Sequence, residues 1–266
     1  VAAHPVDPKD IFASKAIARV MHNGEARYAL LEKGGLKLYN GCVFSGAELS
    51  DICLDPAEAA FLAPTEPSKV VAVGLNYKAH AREMNHPLPE EPLIFLKPST
   101  TVIGPGQAVI RPRNATRVDY EAELGIVISS LCSQVEPSRA LEYVLGYTCL
   151  NDVTERNLQA KDIQFTRGKS FDTFCPLGPV ITKGIEPGEV YLRALVDNEI
   201  RQDSHTSDLI FSVAQVVSFV SKVMTLLPGD VIATGTPAGV GPVVAGQEMT
   251  IEIEGVGRLK NPVIDA

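Results

Sequence analysis

VDYEAELGIVIS, residues 118–129, is a Val- and Ile-rich run that reads as a buried β-strand, yet it carries Glu121 and Glu123 one residue apart. Alternate residues of a strand point to the same face, so both carboxylates project side by side from one surface. Two ionised carboxylates in a dry setting repel, and the conflict is severe unless something positive neutralises them. A third acid, Asp152, ends the next apolar run, GYTCLND, and Lys169 follows in the loop beyond it. Hard oxygen ligands with no adjacent Cys or His suit Mg²⁺ or Mn²⁺, with Ca²⁺ as a substitute, better than Zn²⁺. The other reading is a solvated strand edge whose acids pair with surface lysines. Spacing alone leaves both open.

Around this run the strand signal dominates. KVVAVGL, PLIFLK, YTCLN, PVIT, VYLRALV, DVIATG and MTIEIE are short and separated by Gly/Pro turns, which predicts a β-roll or β-sandwich rather than a doubly wound sheet. Two helices are predicted, over PSRALEYVLG (137–146) and SVAQVVSFVSKVM (212–224), the second with Val213, Val216, Val217, Val220 and Met224 on one face. Residues 1–66 read as a small β-rich unit. Asn23-Gly24 suits a tight hairpin turn, Gly34-Gly35 leads into LKLYN, DPAEAAFLA reads as a short helix, and PTEPSK reads as a linker into a catalytic domain over 67–266. TGTPAGVGP fits neither the dinucleotide nor the P-loop spacing. It is either a turn offering backbone N–H groups to an anion or a plain surface turn.

Composition narrows the partners. With 24 basic and 32 acidic residues the formal charge is −8, which disfavours nucleic acid and anionic membranes. No apolar run reaches the length of a membrane span, the first residues lack a signal-peptide layout, and the five cysteines form no CxxC pair. These features together predict a cytoplasmic protein with reduced thiols.

GLNYKAHAREM, with His80 and Glu83 three apart, is followed in order by EPLIFLKPSTTVIGPG, DYEAELG, NDVTERNLQ, FTRGKSFDTFCPLGP and IATGTPAGVG. As an ordered set over about residues 69 to 262 these segments resemble the fumarylacetoacetate hydrolase family, its smaller bacterial, acylpyruvase-like members in particular. The resemblance implies an α+β, mainly β fold: a mixed β-roll with the small N-terminal domain in front. It implies a homodimer and an Mg²⁺ or Mn²⁺ site made by Glu121, Glu123 and Asp152. At matching positions it makes Lys169 the cation beside the substrate oxygens, His80 and Glu83 an acid–base pair on a mobile lid, and Gln159 and Thr236 substrate contacts. The implied substrates are small 2-oxo or 2,4-dioxo acids, handled through an enolate. A 2-hydroxyhepta-2,4-diene-1,7-dioate isomerase or decarboxylase comes first, an acylpyruvate (fumarylpyruvate) hydrolase or oxaloacetate decarboxylase second.

Two readings of other classes compete. A metal-dependent phosphodiesterase also uses acids and a lysine, though the charge of −8 and the lack of a basic stripe count against it. A silent binding protein would have no need of all six polar residues. His4, His22, His86 and His205 read as structural or surface groups. Asp119 and Asp172 read as supporting acids, and Arg156 and Arg167 either bind a distal substrate carboxylate or pair with nearby acids.

Overall fold

The computed structural model describes residues 3–266, so the first two residues of the unit expected over 1–66 lie outside the described residues. Mainly β architecture is what the Val/Ile runs produce. The strands that matter for the site are β1 (Lys15–His22), β2 (Glu25–Glu32), β3 (Lys69–Gly74), β4 (Leu93–Pro98), β5 (Ala122–Ile128), β6 (Val144–Asn151), β7 (Cys175–Thr182) and β8 (Val231–Ala233). In the largest sheet they lie in the order β2-β1-β7-β6-β5-β8-β3-β4, extended beyond β2 by Gly35–Tyr39 and Leu49–Leu54. A second, five-stranded sheet includes Tyr191–Val196, Glu199–His205 and Glu248–Ile253. Apolar side chains such as Leu124, Ile126 and Ile251 fill the core between the layers.

The N-terminal strands are continuous with this sheet, because Ala16 and Ile17 of β1 pair with Thr182 and Ile181 of β7. The hairpin turn is at Asn23-Gly24, both with positive φ (51° and 79°), as the I′ geometry requires. The next turn falls on Lys33-Gly34, one residue earlier than the Gly pair suggests. DPAEAAFLA is not a helix. Asp55 accepts the Ala57 N–H at 2.8 Å in an Asx turn, and Ala60–Phe61 becomes a two-residue strand beside β1. Fully burying Phe61 there outweighs weak helix propensity in so short a segment. PTEPSK, read as the linker, is held against the sheet: Thr65 Oγ1 donates to the Gly229 carbonyl at 2.9 Å, and Ser68 bonds Asp230 through both its N–H and its hydroxyl.

The helix expected over 137–146 is a 3₁₀ segment, Pro137–Tyr143, that gives way to β6 at Val144. Gly146 explains the switch. A Cβ there would lie 2.3 Å from the Thr182 carbonyl oxygen, so this position exists for close strand approach. Three α-helices flank the site or the sheet nearby, α1 (Lys78–Glu83), α2 (Arg156–Lys161) and α3 (Thr166–Lys169), and the longest, α4 (Val213–Val223), buries Val213, Val216, Val217 and Val220 as its periodicity predicts. A full capping box between Ser212 and Gln215 starts it. Among the described residues no helix is long and apolar enough to cross a membrane.

Candidate active site

β3 and β8 run parallel and adjacent, with Ala72 opposite Ala233. They therefore deliver the chain to the same end of the sheet, β3 into Leu75 and α1, β8 into Thr234-Gly235-Thr236. Antiparallel β5 begins at that end, and its Ala122 faces Asn151, the last residue of β6. Topology thus gathers the 75–83 segment, the 234–239 turn, Glu121, Glu123 and Asp152 around one cavity of ≈ 420 Å³.

The strand read over 118–129 breaks at Glu121. Val118–Tyr120 pairs in a small separate sheet, and β5 resumes at Ala122. The break leaves the Glu121 N–H to the Asn151 side chain, at 2.9 Å, and its carbonyl to the Asp152 N–H, at 3.0 Å. The two glutamates still converge. One oxygen from each of Glu121, Glu123 and Asp152 lies within 4.8 Å of the others, and all three residues are buried.

The positive charges are distributed unevenly among them. Lys169 Nζ bridges Glu121 Oε2 at 2.7 Å and Asp152 Oδ2 at 2.6 Å. Arg156 reaches Glu121 Oε1 at 2.6 Å while also holding Asp119 at 3.0 Å. Lys97, fully buried, stands 2.6 Å from Asp152 Oδ1 and donates to the main-chain carbonyls of Val153 and Lys169. Burial opposes ionisation of Glu121, yet Lys169 and Arg156 bring its carboxyl down to about 2. Glu123 has no such partner among the described residues and accepts only the Gly235 N–H, at 2.7 Å. Burial, then the charges of Asp152 and Glu121, push its carboxyl well above the usual range. Lys169 is buried too, a cost that Asp152 and Glu121 more than offset, so its ammonium is held charged. Three buried carboxylates with converging oxygens, one of them facing no cation among the described residues, form an all-oxygen donor set that suits a hard divalent cation.

His80 is buried and its Nδ1 lies 2.9 Å from Glu83 Oε2. The other Glu83 oxygen accepts the Gly239 N–H at 3.0 Å. A carboxylate so placed selects the Nδ1–H tautomer and leaves Nε2 with its lone pair. TGTPAGVGP therefore does offer N–H groups to anions, and the anions are the protein's own Glu123 and Glu83. Gly235 is required there by its φ of +96° and by Asn76 Cβ, 2.8 Å from where a side chain would begin. Asn76 in turn bonds the Thr234 carbonyl at 2.8 Å and the Phe211 main chain, fixing the approach to α1.

Thr236 and Gln159 both line the cavity. The Thr236 hydroxyl donates to the Ala122 carbonyl at 3.0 Å and accepts from Gln202 at 2.9 Å, and Gln159 accepts from Arg156 at 2.6 Å. Sequence reading did not find Lys97 or Gln202. The signal for Lys97 was a lone lysine closing the apolar run PLIFLK, where the period of two puts it on one face with Leu93 and Phe95. His86 was read as a surface or structural group, and it is exposed, but it stands at the cavity rim. Asp172 and Arg167 do not join the cluster; Arg167 pairs with Asp162 at 2.5 Å near the surface.

The model of the fumarylacetoacetate (FAA) hydrolase C-terminal family matches residues 69–264, and that of an Rv2993c-like N-terminal domain matches residues 16–64. A 2,4-didehydro-3-deoxy-L-rhamnonate hydrolase from Sphingomonas sp. (strain SKA58) is 39% identical over 231 residues, 82% of this chain and 81% of that one. The crystal structure of a 2-hydroxyhepta-2,4-diene-1,7-dioate isomerase from Mycobacterium marinum superposes with a TM-score of 0.88 at 39% identity, over 95% of this chain and 99% of that one. A maleylpyruvate hydrolase from Sphingobium sp. SYK-6, solved with manganese(II) and pyruvate, gives 0.79 at 28% identity, over 94% and 99%.

Proposed function

The chain belongs to the fumarylacetoacetate hydrolase family, and on that premise we propose that it is a divalent-metal-dependent enzyme that moves a proton at the carbon beside the keto group of a 2-oxo or 2,4-dioxo acid. The observation that carries the proposal is Glu123: a buried carboxylate, next to two others, with no cation of its own. Glu121, Glu123 and Asp152 would hold Mg²⁺ or Mn²⁺, which when bound supplies a Lewis acid to the carboxylate and keto oxygens of the substrate. Lys169 presents a second positive charge at the floor of the cavity, where enolate charge develops. His80 Nε2, oriented through Glu83, accepts the proton and can return it at another carbon or to a leaving group. Isomerase and tautomerase outcomes take that proton from carbon, a C–C hydrolase takes it from the attacking water and a decarboxylase forms the enolate by losing CO₂; protonation of the enolate carbon is the step they share, which is why we propose that step and not one product. The homodimer is part of the same proposal, supported by edge strand β4, which leaves Leu96 45% exposed.

Deuterium incorporation next to the keto group of pyruvate and oxaloacetate, followed by NMR in D₂O, reads proton transfer directly. Turnover of acetylpyruvate, fumarylpyruvate and the hydroxyheptadienedioate with Mg²⁺ or Mn²⁺ then reads the product class. Exchange and turnover should both stop in chelator. Absence of exchange and of turnover with either metal refutes the proposal, and light scattering that gives a monomer refutes the dimer.

A further inference from the structure

The cavity changes character with depth. Its floor is ionic and buried: Glu121, Glu123, Asp152 and Lys169 are all 4% exposed or less. Its mouth is apolar and open. Leu93 and Met84 are 49% and 43% exposed, Phe95 and Phe165 half-buried, and all four line the same space. One strand spans the gradient. Leu93, Phe95 and Lys97 alternate along β4 and share a face, from the exposed end to a fully buried ammonium beside Asp152. Those four steps cover roughly 13 Å.

The apolar wall is continuous. Lys169 Nζ sits 5.2 Å above the Phe95 ring, joining floor to wall. Phe165 meets Phe95 edge-to-face with centroids 5.5 Å apart. Gly74 opens the corner between them and the mouth, since a Cβ there would stand 3.4 Å from Leu93 and 3.7 Å from Phe165. Leu75, next to it, lines the cavity in left-handed backbone with φ of 56°, a conformation that bulky L-residues rarely hold without a local reason. The lining cations Lys169 and Arg156 are bonded to floor carboxylates, and His80 to Glu83. Among the described lining residues that leaves the His86 imidazole, at the rim, and the neutral Gln159 amide to meet a distal anion, with no fixed cation.

We infer that the substrate carries an uncharged, apolar substituent on the far side of its 2-oxo acid group, seated against Leu75, Leu93, Phe95 and Phe165. This deepens the function proposed above and rests on it. It departs from the dioate substrate that the family resemblance implies, because a second carboxylate in this mouth would lose water without gaining a fixed cation. An alkyl or aryl tail buries apolar surface there at no such cost.

Binding separates this inference from the one beneath it. Calorimetry on the full chain with saturating Mg²⁺ or Mn²⁺ compares pyruvate, which has no tail, with 2-oxooctanoate and 2-oxooctanedioate, which differ only in the terminal carboxylate. The expected result is 2-oxooctanoate binding tenfold or more tighter than either of the others. Leu93→Arg should shift the monoacid-to-diacid ratio toward the diacid by tenfold or more. Pyruvate binding together with a diacid as tight as the monoacid, or an unchanged ratio in Leu93→Arg, overturns the apolar tail and leaves the metal-dependent function standing. Failure of all three acids to bind overturns both.

Discussion

Replacing Lys97 by Met tests the charge balance of the site without touching a residue that faces the cavity. The side chain is fully buried and its ammonium lies 2.6 Å from Asp152 Oδ1, with the Val153 and Lys169 carbonyls as its other partners. Met keeps the length and apolar stem of Lys, so the loss is chiefly of charge. Removing one member of a buried ion pair costs about 3–5 kcal/mol when the other charge is left alone, and because Lys169 still pairs with Asp152 the lower end, about 3 kcal/mol, applies. At about 2–4 °C per kcal/mol, the metal-free variant should melt roughly 6–12 °C below the parent. A divalent cation on Asp152 replaces much of the missing charge, so Mg²⁺ should raise the melting temperature of Lys97→Met by more than it raises that of the parent. The assay is a pair of thermal melts, in chelator and in saturating Mg²⁺, for each protein. An equal rise in both would mean that Lys97 is packing material and not a charge partner of Asp152, and the electrostatic account of the floor would fall.

Three further outcomes follow from the same geometry. Burial and the neighbouring Asp152 and Glu121 raise the folded-state pKa of Glu123 above its ordinary 4.5, so the metal-free fold binds the proton more tightly than the unfolded chain does. That contribution is fully present below pH 4.5 and is lost as pH rises toward the raised value; Glu123→Gln in chelator should flatten this slope, and melts at several pH values that show equal slopes refute the assignment. His80→Ala should lower kcat by roughly 10²-fold with metal affinity intact, checked by turnover beside a metal titration, and a full rate would remove His80 from the proton path. Hydrogen exchange over residues 76–90 should slow when metal and oxalate bind together, as expected of a lid that closes over ligand, and identical exchange with and without them refutes closure.

The chemistry of the floor was legible because a strand's period of two is rigid. Glu121 and Glu123 stood out as a carboxylate pair in an apolar run, but spacing left a metal site and a solvated edge both open, and it is their burial and convergence with Asp152 that the structure adds. The β-rich architecture was legible through short Val- and Ile-rich runs such as VAVGL and LGIVIS set between Gly and Pro turns. What escaped was non-local. Lys97 looks like the polar end of an apolar strand, and only the approach of Asp152 just past β6 shows that its ammonium lies beneath the site floor. DPAEAAFLA has the composition of a helix, and only the presence of β1 makes Phe61 more useful in a strand. No local pattern reports that β1 adds to β7 across a long stretch of sequence. The break at Glu121 was hidden because Asn151 satisfies the freed N–H with its side chain, a bond that leaves no trace in the run itself.

Because β4 is paired on one side only, to β3 with Ala72 opposite Phe95, it works as a graduated scale laid beside the substrate. Its zero is fixed at Lys97 by Asp152, and its readings are the side chains two and four positions back. Changing the reading at Leu93 alters what length or polarity of molecule is accepted and leaves the zero where it was. Sliding the strand by two residues would keep every side chain on its face and displace the scale by roughly 7 Å. A fold with this layout can be recalibrated for new substrates at its edge while Glu121, Glu123, Asp152, Lys169 and His80, none of them on this strand, stay untouched.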